Sequence, residues 1–554
     1  MNESASEALN RKDPALSAPT PVRLGQGERF DASTDVVIVG FGGAGVTAAL
    51  EARANGAAVI ALDRLEGGGA TAISGGIVYA GGGTSIQKQA KVEDDVEAMF
   101  QYLKLETQGI VSEETLRDFC EQSASNLEWL SSHGVPFEAS LCPYKTSYPT
   151  DDYYLYYSGN ESFAPYTDVA KPAPRGHRAK GKGLPGENFY KPLRESALRA
   201  GVELRELSRV TALVVDSSEN VIGVEVHSVE DKLQGALMRR IYRLAMALRN
   251  YAPNVSRSLY ARLGEMEERH GVRRLIEAKR GVILSAGGFI YNRAMVEHYA
   301  PAYRPGMPLG TIGDDGLGIR LGESVDGLAD NMSRVSAWRF INPPEAFTRG
   351  ILVNKKGERY VNEMLYGAAV GEAMVERNGG KAILIIDEPM RKLAREQCKP
   401  GRAQWFQRGP ALLNLWFNRK EARTLGELAA LINVPREALE ASVAAYNAGV
   451  ESGKDAFGKP ASQLQKIEKG PFHAIDCSID SKRFPCPTLT LGGLVVDEAS
   501  GAVLDRDRQP IPGLYAAGRN AIGICSRQYV SGLSLADCVY SGRRAGRAAA
   551  KNSP

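Results

Sequence analysis

The first unbroken apolar run of the chain, Val36-Val-Ile-Val39 after Asp35, is short and β-branched, which predicts a buried parallel strand. Gly40-Phe41-Gly42-Gly43-Ala44-Gly45 follows it, and Val46 to Asn55, rich in Ala and Leu, predicts a helix. Ala57 to Leu62 is a second apolar run, ending on Asp63. The pattern spells a β-α-β unit with glycines in its first turn and an acid at the end of its second strand. Glycines there allow a tight turn and bring a pyrophosphate close to the helix N-terminus, where unpaired N–H groups and the dipole favour an anion. Asp63 is placed to accept ribose hydroxyls, so the unit reads as a dinucleotide site.

A second glycine-rich stretch follows at once, from Gly67 through Gly69-Ala70-Thr71 to Ser74-Gly75-Gly76, and a third at Gly81 to Gly83. A nicotinamide domain has no need of these, whereas a flavin presses its pyrophosphate, ribityl chain and ring edge against backbone. Ala, Ile, Val and Tyr interleaved with the glycines argue against a flexible linker. Gly281 to Leu284 predicts a strand entering the turn Ala286-Gly287-Gly288, and Ile511 to Ala517 another entering Gly518-Arg519. Ser531 to Asp537, with Ser534 and Leu535, opens a final helix. Pieces this distant closing one site predict an α/β fold: a Rossmann-like, discontinuous FAD-binding domain formed by 31–335 and 478–554. An inserted α+β capping domain is expected over 336–477, with a strand at Ala382 to Asp387 and helical patterning from Thr424 to Tyr446. Residues 1–30 read as a flexible, solvated tail without the apolar core of a signal peptide.

Composition narrows the function. With 554 residues the chain exceeds a single core, and 43% hydrophobic and 24% charged residues are ordinary for a soluble protein. A net charge of +3 is too small for a nucleic-acid polycation, so no nucleic-acid partner is expected. Seven cysteines without a CxxC pair and six dispersed histidines predict neither metal site nor disulfide framework, and a cytoplasmic location is expected. No apolar run reaches the roughly 18 to 20 residues of a membrane span. Charge is nevertheless concentrated in the insert at about 232–280, which holds twelve Lys/Arg and four Asp/Glu. There Leu233, Leu237, Ile241, Leu244, Leu248 and Tyr251 share one helical face. The insert reads either as a helical hairpin packed on its own domain or on a partner copy, or as a peripheral, in-plane helix on an anionic membrane through 232–262.

The run from Asp35 onward resembles the fumarate reductase/3-oxosteroid dehydrogenase flavoprotein superfamily. Gly40 to Gly45, Thr71 to Gly76, Gly281 to Phe289, Gly350 to Glu363 and Leu491 to Gly518 carry the resemblance. It implies noncovalent FAD, since the glycine region lacks the flavin-linking histidine of respiratory fumarate reductases. The implied cofactor contacts are Gly40, Gly42, Gly43, Ala44, Gly45, Asp63, Arg64, Gly69, Ala70, Thr71, Ser74, Gly75 and Gly76. Val210, Ala286, Gly287, Gly288, Gly518, Arg519, Ser534 and Leu535 complete them. Fumarate reductases carry a proton-donating arginine after the stretch matching Arg359-Tyr360-Val-Asn362-Glu363; here Met364-Leu365-Tyr366 stands instead. Arg527 is the one offer of a dicarboxylate clamp, and its neighbours do not match. Tyr366 and Tyr529-Val-Ser531-Gly532 resemble the branch of 3-ketosteroid Δ4-(5α)-dehydrogenases, not the Tyr-Pro-Gly motif of the Δ1 branch. The resemblance implies a steroid-like substrate, an external electron acceptor and a catalytic trio of Tyr529, Ser531 and Tyr366. In such chemistry a base takes the α-proton and flavin the β-hydride; a tyrosine base requires a relay or a stabilised phenolate. A Δ1-dehydrogenase, a reductase of another unsaturated substrate and a nonredox flavin-fold protein are the alternatives.

Two stretches remain. Six tyrosines between Tyr144 and Tyr157 suit either a flat, mostly apolar ligand or a hairpin surface. Arg175 to Lys182, with His177, reads as a solvated charge run or a loop of the flavin domain, and Tyr360 as packing.

Overall fold

The computed structural model describes residues 14–25, 28–249 and 252–552. The first thirteen residues of the expected tail, and Tyr251 of the insert's apolar face, lie outside the described residues.

The β-branched run forms β1 (Ala32–Val39), the glycine turn opens α1 (Gly43–Ala54), and the second run forms β2 (Val59–Leu62), paired parallel to β1. β3 (Glu203–Arg205) extends this side of the sheet in parallel. A meander follows: β4 (Ser208–Val215), β5 (Val221–Ser228), a helical hairpin of α2 (Lys232–Leu248) and α3 (Pro253–His270), and β6 (Val272–Leu284). β6 serves both halves of the sheet. Val272 to Glu277 pair antiparallel with β5, and Ile276 to Leu284 pair parallel with β1 across an irregularity between Ala278 and Gly281.

The interval to Asp476 carries a separate antiparallel sheet in the order Ile351–Val353, Ile383–Ile386, Phe472–Asp476, Arg419–Ala422. The helical pattern from Thr424 splits into Leu425–Ile432 and Arg436–Ser452, because Asn433 is left-handed and Pro435 follows. A further helix, α4 (Trp405–Phe417), flanks this sheet. Ile385 and Leu384 of the second sheet belong to the same buried cluster as Val37 and Leu284 of the first, so both sheets share one core. The chain then returns: β7 (Pro510–Ala516) pairs parallel with β6, and α5 (Leu533–Lys551) crosses α1. That crossing is close because Gly542 and Gly546 face α1; a Cβ on either would meet the Ala44 or Ala48 carbonyl oxygen at 2.6 or 2.3 Å.

Three expectations change here. Residues 14–25 lie along the body: Val22–Arg23 pairs with β4, and Arg320 donates to the Pro14 and Ser17 carbonyls. The insert rises as a hairpin from the end of the β5–β6 pair, which runs from Ser228↔Val272 to Gly223↔Glu277. Its helices pack on their own side of the molecule, with Met238, Leu263 and Met266 buried against Leu65, Leu207 and Ile312. Of the predicted apolar face, Leu233, Leu237 and Leu244 stay exposed. The Arg175 to Lys182 run is largely interior: Arg175 pairs with Asp94 at 2.7 Å, Arg178 with Asp151 at 2.6 Å, and His177 Nε2 lies 2.9 Å from Thr84 Oγ1. Buried guanidinium groups persist only when paired and hydrogen-bonded, and these partners come from sequence-distant segments.

Candidate functional site

The nucleotide half is built by backbone. The N-cap of α1 is Gly42, which has no side chain to offer, and in the first turn the Gly43 N–H goes to a side chain of the second glycine segment. Gly45 must be glycine: a Cβ there would lie 2.0 Å from the Gly40 carbonyl oxygen. Gly42 and Gly69 are different, since nothing in the protein approaches their missing Cβ closer than 3.8 and 4.0 Å. That open strip beside the N-terminus of α1 is the space a pyrophosphate needs. Asp63, at the end of β2, accepts N–H groups from Phe41 at 2.9 Å, Leu65 at 2.8 Å and Gly67 at 3.1 Å, locking both glycine segments together. Its carboxylate retains lone pairs for ribose hydroxyls. Thr71 Oγ1 accepts from Gly43 N–H at 3.1 Å, and Ser74 Oγ from Gly76 N–H at 3.1 Å. Ala70 and Gly75 lie in this same segment, where Tyr148 crowds Gly75. The residues present fit FAD.

Arg64 is committed to carboxylates, at 2.8 Å to Glu267 and 3.1 Å to Asp315, and through Glu267 it ties the α2–α3 hairpin to the end of β2. Val210 is buried in the meander, paired with Val226. Ala286 donates its N–H to Asn520, and Gly288 to Asp314 at 3.2 Å. Asp314 also holds Arg519 at 2.7 Å, and Gly287 and Gly518 are left-handed beside them. Asp314 was not legible from the sequence, because its partners stand at 288 and 519.

The tyrosine half meets this frame at Gly532. Gly532 has φ 92°, and a Cβ would lie 2.6 Å from the Tyr79 nitrogen. Only glycine lets the loop lie on the Val78–Tyr79 backbone, where Tyr79 N–H donates to the Gly532 carbonyl at 3.0 Å. Ser531 is thereby fixed two residues before α5, which then carries Ser534 and Leu535 in its first turn. Tyr366 and Tyr529 stack at 6.4 Å between centroids, Trp338 covers Tyr529 at 4.7 Å and Phe340 covers Tyr366 at 5.2 Å. Ser531 lies near enough to the Tyr366 hydroxyl to act on its titration. A third hydroxyl completes the group: Tyr156 Oη lies 3.1 Å from Ser531 Oγ, and Ser158 Oγ donates to the Ser531 carbonyl at 3.0 Å. Tyr156 belongs to the tyrosine run, whose Tyr148, Tyr154 and Tyr156 are buried while Tyr144 is exposed.

Burial pushes the hydroxyls of Tyr156, Tyr366 and Tyr529 well above the ordinary tyrosine range. They are therefore neutral, and the arrangement supports a hydroxyl relay instead of a standing phenolate. Behind Tyr366, its N–H donates to Asn160 Oδ1 at 2.7 Å, and Asn160 Nδ2 donates to Glu106 at 2.9 Å. Burial pushes the Glu106 carboxyl up to about 7, and the Lys145 ammonium nearby down to about 8. Tyr360 lies apart from this group, its hydroxyl unpartnered. Arg527 pairs with Glu372 at 2.9 Å, so it is not a free clamp for a carboxylate. Among the described residues no cluster of His, Cys, Asp and Glu can hold a metal ion, and no helix is long and apolar enough to cross a membrane.

Comparison with known proteins places this geometry. The chain is 39% identical over 510 residues to 3-oxo-5-alpha-steroid 4-dehydrogenase of Comamonas testosteroni, covering 88% of this chain and 92% of that one. It is 26% identical to 3-oxosteroid 1-dehydrogenase of Mycolicibacterium smegmatis, covering 89% and 93%. Among solved structures, 3-ketosteroid-delta4-(5alpha)-dehydrogenase from Rhodococcus jostii RHA1, in complex with 4-androstene-3,17-dione, superposes with a TM-score of 0.80 at 32% identity, covering 97% of this chain and all of that one. The FAD binding domain family matches residues 35–532, and the protein belongs to that family of FAD-dependent flavoproteins.

Proposed function

We propose that this protein desaturates ring A of 3-oxosteroids between C4 and C5, converting a 3-oxo-5α-steroid into the Δ4-3-oxosteroid. The observation that carries the reading is the Tyr156 hydroxyl 3.1 Å from Ser531 Oγ, with Tyr366 stacked on Tyr529 next to it, beside the glycine frame that fits FAD. The similarity to the Comamonas enzyme supports the same substrate class. Bound FAD supplies the hydride acceptor for the hydrogen leaving C5. The chain's own part is to take the C4 proton, to hold the 3-oxo group, and to keep water out. The Tyr529 hydroxyl is the group assigned to the C4 proton, and Ser531 with Tyr366 or Tyr156 passes it on, so no tyrosine need carry a full negative charge. The segment 336–477 acts as the cap over a flavin domain formed by 31–335 and 478–554, and an external acceptor reoxidises the flavin.

Anaerobic mixing with a 3-oxo-5α-steroid should bleach the flavin, and NMR of the product should show a single new ring-A vinyl proton, at C4. Two vinyl protons, at C1 and C2, would move the enzyme to Δ1 chemistry. Fumarate should not reoxidise the reduced enzyme, because Arg527 is paired and no arginine follows Glu363.

A further inference from the structure

Helix α4 presents an apolar face that none of the described residues covers. Trp405, Leu413, Trp416 and Phe417 are 62%, 51%, 56% and 62% exposed. At about 100° per residue they lie within an arc of about 120°, with Ala411, Asn414 and Leu415 buried on the opposite side. A soluble surface scatters large apolar groups singly; two tryptophans, a phenylalanine and a leucine on one short helix are a patch. The charge around the face is mainly cationic, although Lys399 pairs with Glu396 and Arg419 with Glu421. From Cys398 to Lys420 the chain carries Lys399, Arg402, Arg408, Arg419 and Lys420 and no carboxylate, and Lys482 and Arg483 adjoin, with Arg483 donating to the Phe417 carbonyl.

The helix also belongs to the wall of the tyrosine site. Phe406 meets the Tyr148 ring edge-on at 5.5 Å, Tyr148 packs in one cluster with Tyr156, and Gln404 donates to Asp151 at 2.7 Å.

We propose that α4 docks the protein on an anionic lipid surface, with its aromatic face in the headgroup region and its cations on the anionic lipids. Tryptophan suits that boundary because its ring is apolar and its N–H stays wet. Apolar burial and cation attraction add in the same direction. A second copy of the chain is the poorer occupant, since two-fold pairing of this face would bring two cationic rims together. The benefit, substrate passing from lipid to the tyrosine site, rests on the steroid reading above; the docking itself does not.

The test is sedimentation with phosphatidylcholine vesicles, with and without about 30% phosphatidylglycerol, using the full FAD-loaded protein. The native protein should pellet with the anionic vesicles at low salt and be released at high salt, and its tryptophan fluorescence should be quenched by brominated lipid. W416S/F417S should reduce bound protein about tenfold or more, while anaerobic flavin bleaching by dispersed steroid stays native. L233S/L237S/L244S, on the exposed strip of α2, should pellet like the native chain. Absence of pelleting by the native protein, or equal pelleting of W416S/F417S, would overturn the proposal. So would a native oligomer that W416S/F417S dissociates, which assigns the face to a second copy. Loss of bleaching in the native protein would sink the steroid reading alone.

Discussion

Tyr156 Oη lies 3.1 Å from Ser531 Oγ although 375 residues of chain separate them, and both side chains are buried. The contact joins the tyrosine-rich segment to the loop before α5, so the relay draws on three remote segments: 156, 366 and 529–531. Tyr529→Phe should leave yellow, FAD-loaded protein and lower steroid-dependent flavin reduction by roughly 10²-fold. Ser531→Ala and Tyr156→Phe should each cost about tenfold, because water can replace one hydroxyl of a relay. The double variant should be little worse than Ser531→Ala, since the two act as one unit. Full additivity in stopped-flow bleaching would remove Tyr156 from the relay.

The β-α-β turn and the later glycine segments were legible in the sequence because each is local, a run and a turn within a few positions, whereas the Tyr-x-Ser loop stood out only through the family resemblance. What escaped depends on distant partners. Asp314 reads as an ordinary acid until Gly288 and Arg519 are placed beside it, and Tyr156 as one of six tyrosines until Ser531 arrives. The charge run at 175–182 looks solvated because its counter-charges, Asp94 and Asp151, lie in other segments. In α2 the periodicity correctly marks an amphipathic helix. It does not say which edge of the stripe is covered, and Met238 and Ala245 go inside while Leu233, Leu237 and Leu244 stay out.

Two glycines of one motif separate fold from cofactor. Gly45→Ala places a Cβ 2.0 Å from a backbone oxygen, so the unliganded protein should lose several degrees of thermal midpoint. Gly42→Ala meets nothing closer than 3.8 Å and needs no unusual backbone, at φ −85°. Its unliganded form should melt like the native protein while FAD affinity falls about tenfold or more. Equal FAD titrations for Gly42→Ala and the native chain would place the pyrophosphate elsewhere.

Glu106 ties stability to pH. Burial raises its folded pKa to about 7, above the ordinary carboxyl range, so the folded protein binds a proton that the unfolded chain has released. Stability from this group therefore falls as pH rises from about 4.5 to about 7 and is level above that, a loss of up to about 3 kcal/mol. Glu106→Gln keeps an acceptor for the Tyr102 hydroxyl and Asn160 and has no charge to bury. Thermal midpoints of this variant should decline less than native ones between pH 5 and 8, and parallel curves would rule out the assignment.

The Arg359 to Glu363 motif has a structural part to play in this chain. Glu363 is fully buried and holds Arg359 at 2.7 Å, Lys459 at 2.9 Å and the Leu352 N–H at 2.9 Å; Arg359 also pairs with Asp455. Burial works against the Glu363 charge, but the two cations outweigh it and hold the carboxyl below its usual range. Removing the carboxylate strands the fully buried Lys459 ammonium with the Gly350 carbonyl as acceptor. Glu363→Ala should therefore cost about 3 to 5 kcal/mol, far more than loss of a surface pair, and the loss should be nearly insensitive to salt because a buried pair is poorly screened. Glu363→Gln, which retains the acceptor for Leu352, should cost less. In both variants the protein that remains folded should still bleach with steroid at a rate near native, because Glu363 supports the cap sheet and touches none of Tyr156, Tyr366, Tyr529 or Ser531. A folded, FAD-loaded Glu363→Gln protein that has lost bleaching would show that this motif reaches the chemistry after all.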